Sequence, residues 1–166
     1  MYKRQRFVSP LLRGEEMWCQ LFSEPGAGSD LAGLATRAVA DGDEYIVSGQ
    51  KVWTTSAHLA EFGILLARTD PDVPKHRGIS AFLVDMSSPG IEVRPLRQID
   101  GAVHFNEVFL DEVRVPAGAL LGGFNAGGGV ALPMLNFERS AIGGGGMIEW
   151  HQILNLARQR DDGSID

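Results

Sequence analysis

Between Met17 and Val113 the apolar residues fall in short runs separated by turn-forming clusters, the punctuation of an antiparallel sheet and not of strands alternating with crossover helices. The pattern predicts strands near Met17 to Phe22, Thr36 to Ala40, Tyr45 to Thr54, Phe62 to Arg68, Ile79 to Asp85, Ile91 to Leu96 and His104 to Val113. Asp41-Gly42-Asp43 reads as a hairpin turn, because Gly and Asp tolerate the positive φ of tight turns. Pro71 to Lys75, Ser88-Pro89-Gly90 and Val115-Pro116-Ala117-Gly118 mark further loops. After Gly123 the alternation stops, and Met147, Trp150, Ile153 or Leu154, and Ala157 recur at helical spacing. The expected fold class is mainly β: an antiparallel β-barrel of about seven strands followed by a long C-terminal helix. A helix from about Asn125 to Arg160 would measure roughly 50 Å, more than a barrel of this size covers, so its far end is expected to seek a partner. Pro133 and Gly143-Gly144-Gly145-Gly146 interrupt it, the glycines at a cost on the order of 4 kcal/mol against alanine. They mark either a joint between two helices or a place where another backbone or a ligand comes close.

Composition narrows the class. With 44% hydrophobic and 22% charged residues the chain is ordinary globular material, and no apolar run approaches the roughly 20 residues of a membrane-spanning helix. A net charge of -6 argues against nucleic acid as a partner, since phosphate binding depends on clustered Lys and Arg. The one basic cluster, Lys3-Arg4-Gln5-Arg6, suits a solvated helix end. One cysteine, Cys19, excludes an internal disulfide, and His58, His76, His104 and His151 lack zinc-site spacing, so no metal is expected. The opening residues carry charge without a following apolar stretch, which leaves a cytoplasmic location as the default.

Candidate chemistry concentrates in two segments, Phe22-Ser23-Glu24-Pro25-Gly26-Ala27-Gly28-Ser29-Asp30 and Gly49-Gln50-Lys51-Val52-Trp53-Thr54-Thr55-Ser56-Ala57. Gly26-Ala27-Gly28 follows a strand and leads into Ser29-Asp30-Leu31, the form of a helix N-cap, but it lacks the Lys-Ser/Thr ending of a P-loop and the spacing of a dinucleotide fingerprint. On an extended strand residues two apart share a face, so Trp53 and Thr55 stand side by side. A flat ring beside a hydroxyl suits an isoalloxazine, although taken alone the pair reads first as a core Trp53 and an ordinary strand hydroxyl at Thr55.

Taken jointly, the segments carry a family resemblance. Trp18 to Asp30 resembles the first signature of the acyl-CoA dehydrogenases, and Asp41 to Thr55 is similar to the stretch that follows it there. Leu66-Ala67-Arg68-Thr69-Asp70 and Phe105 to Pro116 look like that family's later strands, in family order. The resemblance implies α,β-dehydrogenation of an acyl-CoA thioester, a carboxylate removing the α proton while the β hydride passes to FAD, with an electron-transfer flavoprotein as the usual reoxidant. It places Gln20, Leu21, Phe22 and Ser23 against the flavin, with Trp53, Thr54 and Thr55 completing the wall and Thr55 near N5. It puts Ser29 at the cofactor and the pantetheine arm, and Asn136, Phe137, Glu138 and Arg139 beside the acyl-CoA. Leu135 to Arg139 reads equally as a solvated charge pair on an amphipathic helix. Glu138 is a candidate base, matching some branched-chain and long-chain members; in most members the base lies in a C-terminal helical domain.

By the same resemblance residues 1–15 are the remnant of an N-terminal helical domain, 16–123 the middle β-barrel and 124–166 the first helix of a truncated C-terminal domain. The expectation is weak or no FAD binding and no turnover by the isolated chain, and homo-oligomerisation through the exposed helix. Two alternatives keep the fold and change the role: a non-catalytic ligand-binding or interaction module, or a flavin-dependent monooxygenase or oxidase.

Overall fold

The computed structural model describes the backbone of residues 4–144 and the side chains of 6–140. The chain divides into two compact units after Leu132. In the first, a π-helical turn (Arg4–Val8) and the short helix α1 (Ser9–Leu12) lead into eight strands. These are β1 (Trp18–Leu21), β2 (Arg37–Asp41), β3 (Glu44–Thr55), β4 (Phe62–Arg68), β5 (Ile79–Asp85), β6 (Ile91–Leu96), β7 (Phe105–Pro116) and β8 (Leu120–Leu121). Helix α2 spans Gly127–Gly144, and its residues from Pro133 onward belong to the second unit.

The mainly β class holds, with two corrections. The strands run β6-β7-β3-β2-β4-β5-β8 and the terminal strands β6 and β8 do not pair, so the sheet is open and the expected barrel does not close. Nor is it wholly antiparallel: β1 lies parallel to β4, with Trp18 opposite Phe62 and Leu21 opposite Leu65. One edge of β4 is held along its length by β5. The other is shared, β1 taking the first half and β2 joining only at Arg37↔Arg68. The connection from β1 to β2 carries Glu24 to Thr36, and at its end the Arg68 N–H donates to the Thr36 carbonyl at 2.7 Å.

Alternation explains the core. Leu21, Val47, Leu65, Phe82, Val84, Val108, Leu110 and Val113 point inward from five of the strands and form one apolar cluster. Six of the seven residues of β5 are buried, Asp85 being the exposed one, in keeping with its apolar Ala81 to Val84 run; the buried Ser80 hydroxyl is hydrogen-bonded to Thr69 and to the Asn125 N–H. The Asp41–Glu44 hairpin forms as expected, with Gly42 at φ +63°. Ser29-Asp30 introduces only a single 3-10 turn, Leu31–Gly33, and Asp30 makes no side-chain cap. In α2, Pro133 lies inside the helix without ending it. The remainder of the expected helix, with Gly145-Gly146 and residues 147–160, lies outside the described residues.

Gly49 is required for space. A Cβ there would stand 2.7 Å from the Thr36 Cα, where β2 begins beside β3. Backbone at that position has nowhere to move without breaking the Arg37↔Ser48 pair. Gly49→Ala is therefore expected to cost about 1–3 kcal/mol by overpacking, read as a lowered thermal midpoint.

Candidate functional site

The long β3–β7 pair slips register twice. Between Val47 and Gly49 the surplus residue lies on β7, with Glu112 at φ +49°. Between Lys51 and Thr54 it lies on β3, with Trp53 at φ +58°. A non-glycine residue held at such a φ costs on the order of 1–3 kcal/mol and persists only where its surroundings over-determine it. The bulge re-aims the strand end: Val52 and Thr54 are buried, whereas Trp53 and Thr55 are exposed on the opposite side. The Trp53 indole is 63% exposed and meets the Phe105 ring edge-on, centroids 6.1 Å apart.

The end of β1 lies against this turn, because the Val52 N–H donates to the Ser23 carbonyl at 2.9 Å. Leu21 and Phe22 are buried, so their side chains anchor the segment in the core, while Gln20 and Ser23 are half-buried. The structure thus brings Gln20 to Ser23 together with Trp53 to Thr55. Thr54 turns its side chain inward, and its hydroxyl oxygen is buried without a hydrogen-bond partner among the described residues. Ser29 is exposed on the connection beyond Gly28, where a Cβ would meet nothing. Asn136, Phe137, Glu138 and Arg139 occupy consecutive exposed positions of α2 in the second unit.

Three buried polar residues shape this wall and went unassigned in the sequence. Lys51 is fully buried; its Nζ donates to Glu24 Oε1 at 2.8 Å and to the Phe22 carbonyl at 3.1 Å. Glu24 also accepts the Ala35 N–H at 2.6 Å and the Thr36 N–H at 3.0 Å. Asn106, fully buried on β7, donates from Nδ2 to the Thr54 carbonyl at 2.9 Å. Its Oδ1 then accepts from His58 Nδ1 at 3.1 Å. The only hint in the sequence is a Lys between strand residues, a pattern usual for a solvent face.

Burial pushes the Lys51 ammonium down to about 8, against the opposing pull of Glu24. For Glu24 burial acts upward, but the Lys51 charge and the donated hydrogen bonds outweigh it and hold the carboxyl below its ordinary 4.5. A depressed carboxyl contributes stability that is complete above its unfolded-state value and is lost as pH falls through the folded one. The unfolding free energy should therefore decline below about pH 4.5, and Glu24→Gln should flatten that decline, as urea titrations from about pH 3 to 6 would record. Burial also pushes the Cys19 thiol up to about 12, which makes it inert at neutral pH. No group of three or more His, Cys, Asp and Glu among the described residues is arranged to hold a metal ion, and no described helix is long and apolar enough to cross a membrane.

The exposed indole, the Thr55 hydroxyl on the same side and the main chain ending β1 offer a stacking face with polar groups at its margin, a donor set that fits a planar conjugated heterocycle. Comparison with known proteins agrees in fold and family. Residues 19–113 match the family "Acyl-CoA dehydrogenase, middle domain". The chain is 57% identical over 141 residues to acyl-CoA dehydrogenase FadE34 of Mycobacterium tuberculosis, a match covering 85% of this chain and 20% of that protein. An acyl-CoA dehydrogenase structure from Geobacillus kaustophilus superposes with a TM-score of 0.79 at 38% identity, over 83% of this chain and 37% of that one. A glutaryl-CoA dehydrogenase of Mycobacterium smegmatis in complex with FADH2 gives 0.65 at 34% identity, over 72% of this chain and 30% of that one. The chain spans only a fifth to about two fifths of the length of these proteins. With most of its length matched by one family, in both sequence and strand arrangement, the chain belongs to the acyl-CoA dehydrogenases and contains their middle domain.

Proposed function

We propose that this chain supplies the flavin- and thioester-facing wall of a FAD-dependent acyl-CoA dehydrogenase. The observation that carries the reading is Trp53, exposed and held at positive φ beside Thr55, where a packing role would have buried it. FAD, when bound, supplies acceptance of the β hydride. The chain's own residues bind and orient: the Trp53 indole offers the stacking surface, the Thr55 hydroxyl a hydrogen bond at the ring margin, and the main chain of Gln20 to Ser23 the floor. Ser29, exposed past the open Gly28, takes the pantetheine arm.

Removal of the α proton requires a positioned carboxylate. Glu138 is the candidate within the chain; the alternative is a carboxylate contributed from outside these 166 residues. Because the wall is only one side of a cofactor site, the isolated chain binds FAD weakly or not at all and does not turn over acyl-CoA. Electrons leave to an electron-transfer flavoprotein, and copies associate through the helix.

The test joins the chain to the helical domains of a family member and follows the flavin spectrum while acyl-CoAs of different length are added. Bleaching of the flavin band by one chain-length class is expected in the joined protein and not in the isolated chain. Glu138→Gln should abolish bleaching while leaving FAD bound; full bleaching in that variant assigns the base elsewhere. No flavin uptake by the joined protein defeats the proposal, and oxygen consumption without an added acceptor would favour the oxidase alternative.

A further inference from the structure

The register slip on β3 leaves a question of placement. Between Lys51, paired with Val108, and Thr54, paired with Asn106, the β3–β7 ladder assigns no partner to Val52 or Trp53. From β7 the indole meets only the edge-on Phe105 ring among the ring contacts of the described residues, and the backbone that carries it is held from the other side, where consecutive residues of β3 bond consecutive carbonyls of the β1 end. Lys51 Nζ bonds the Phe22 carbonyl and the Val52 N–H bonds the Ser23 carbonyl. Glu24, next in the chain, closes the arrangement. Its Oε1 accepts both Lys51 Nζ and the Thr36 amide and its Oε2 accepts the Ala35 amide, while its main chain exchanges two hydrogen bonds with Ala27.

We infer that Glu24 and Lys51 are positioning residues for the wall: the buried pair locks the end of β1, the connection up to Thr36 and the bulge of β3 into one unit and so fixes where Trp53 and Ser23 stand. The geometric part of this inference is independent of what binds; its consequence for FAD rests on the function proposed above. A pair kept for stability alone would be a poor choice. Desolvating two charges consumes much of their attraction, and well-packed apolar residues of similar volume often serve as well. What apolar residues do not supply is direction. Five hydrogen-bonding groups converge here: Nζ, two main-chain amides, the carboxylate and the Phe22 carbonyl. The three donors and their acceptors bond well only when the donor–hydrogen–acceptor angle is close to straight.

The test uses the 166-residue chain with Lys51→Met, Glu24→Gln and the double variant, read by amide hydrogen exchange and by the Trp53 indole N–H resonance. The single variants leave a buried group unpaired and lower protection everywhere. The double variant buries no charge and should recover the protection of Leu65 and Phe82, deep in β4 and β5. In that recovered background the Val52 amide is expected to exchange about tenfold faster than in the parent, with the indole resonance displaced, because a local directional bond has gone while the core has not. Return of Val52 and the indole to parental values in the double variant would reduce the pair to a stabilising contact and overturn the inference. Should a single variant fail to fold, the double variant alone decides. A separate FAD titration of the joined protein with Trp53→Ala tells the two readings apart: unchanged affinity would remove the flavin from the wall and leave the exchange result standing.

Discussion

Lys51→Met is expected to destabilise the fold by about 3–5 kcal/mol, the cost of leaving a buried carboxylate without its partner. The methylene stem is conserved in volume, so the loss comes from charge and hydrogen bonding and not from a cavity. Glu24 would keep its two amide donors but lose the only cation bonded to it among the described residues, and the Phe22 carbonyl would lose the Nζ donor. Adding Glu24→Gln should return most of the loss, because the glutamine is neutral and its carbonyl still accepts an amide. Urea denaturation of the two single variants and the double variant gives the coupling directly. A Lys51→Met chain within about 1 kcal/mol of the parent would mean that water reaches the pair.

The second large effect falls on binding. In the joined protein, Trp53→Ala is expected to weaken FAD by roughly 2–3 kcal/mol, on the order of a hundredfold in Kd, through lost stacking and lost apolar contact. Its effect on folding should be small, since the indole is largely exposed and stands at a φ that costs energy. Trp53→Gly should go further in that direction, holding or raising the thermal midpoint while binding is lost. Flavin fluorescence quenching and a thermal melt on the same samples check both parts. A midpoint lowered by many degrees would return Trp53 to the role of a packing residue.

Much of this was legible in the sequence because the strands obey local rules. Phe62 to Arg68, Ile79 to Asp85 and Ile91 to Leu96 fall where apolar runs and turn residues place them. The two residues of β8 carry no period to detect. The open path and the parallel β1 were not legible, because pairing between strands far apart in the chain leaves no local signature. Trp53 and Thr55 do share a side, but the mechanism differs from plain alternation: Lys51 and Val52 are both buried, and the bulge resets the count before Trp53. Glu24 and Lys51 stayed hidden for a related reason. Ionised side chains in a strand and a turn ordinarily face solvent, and only the closeness of two segments distant in the chain makes them each other's solvation.

The parallel alignment of β1 with β4 bears on how the chain reaches this state. Trp18 must find Phe62, 44 positions later, whereas Asp41 meets Glu44 across a two-residue turn. Ring closure over that span is entropically dearer by roughly (3/2)RT ln of the length ratio, a few kcal/mol, and nothing local rewards it in advance. The hairpin of β2 and β3 can assemble first. The leading strand then docks late, and with it the floor on which the exposed indole depends, so during refolding the amides of the β2–β3 hairpin should gain exchange protection before those of β1 and before the Trp53 indole reaches its native environment.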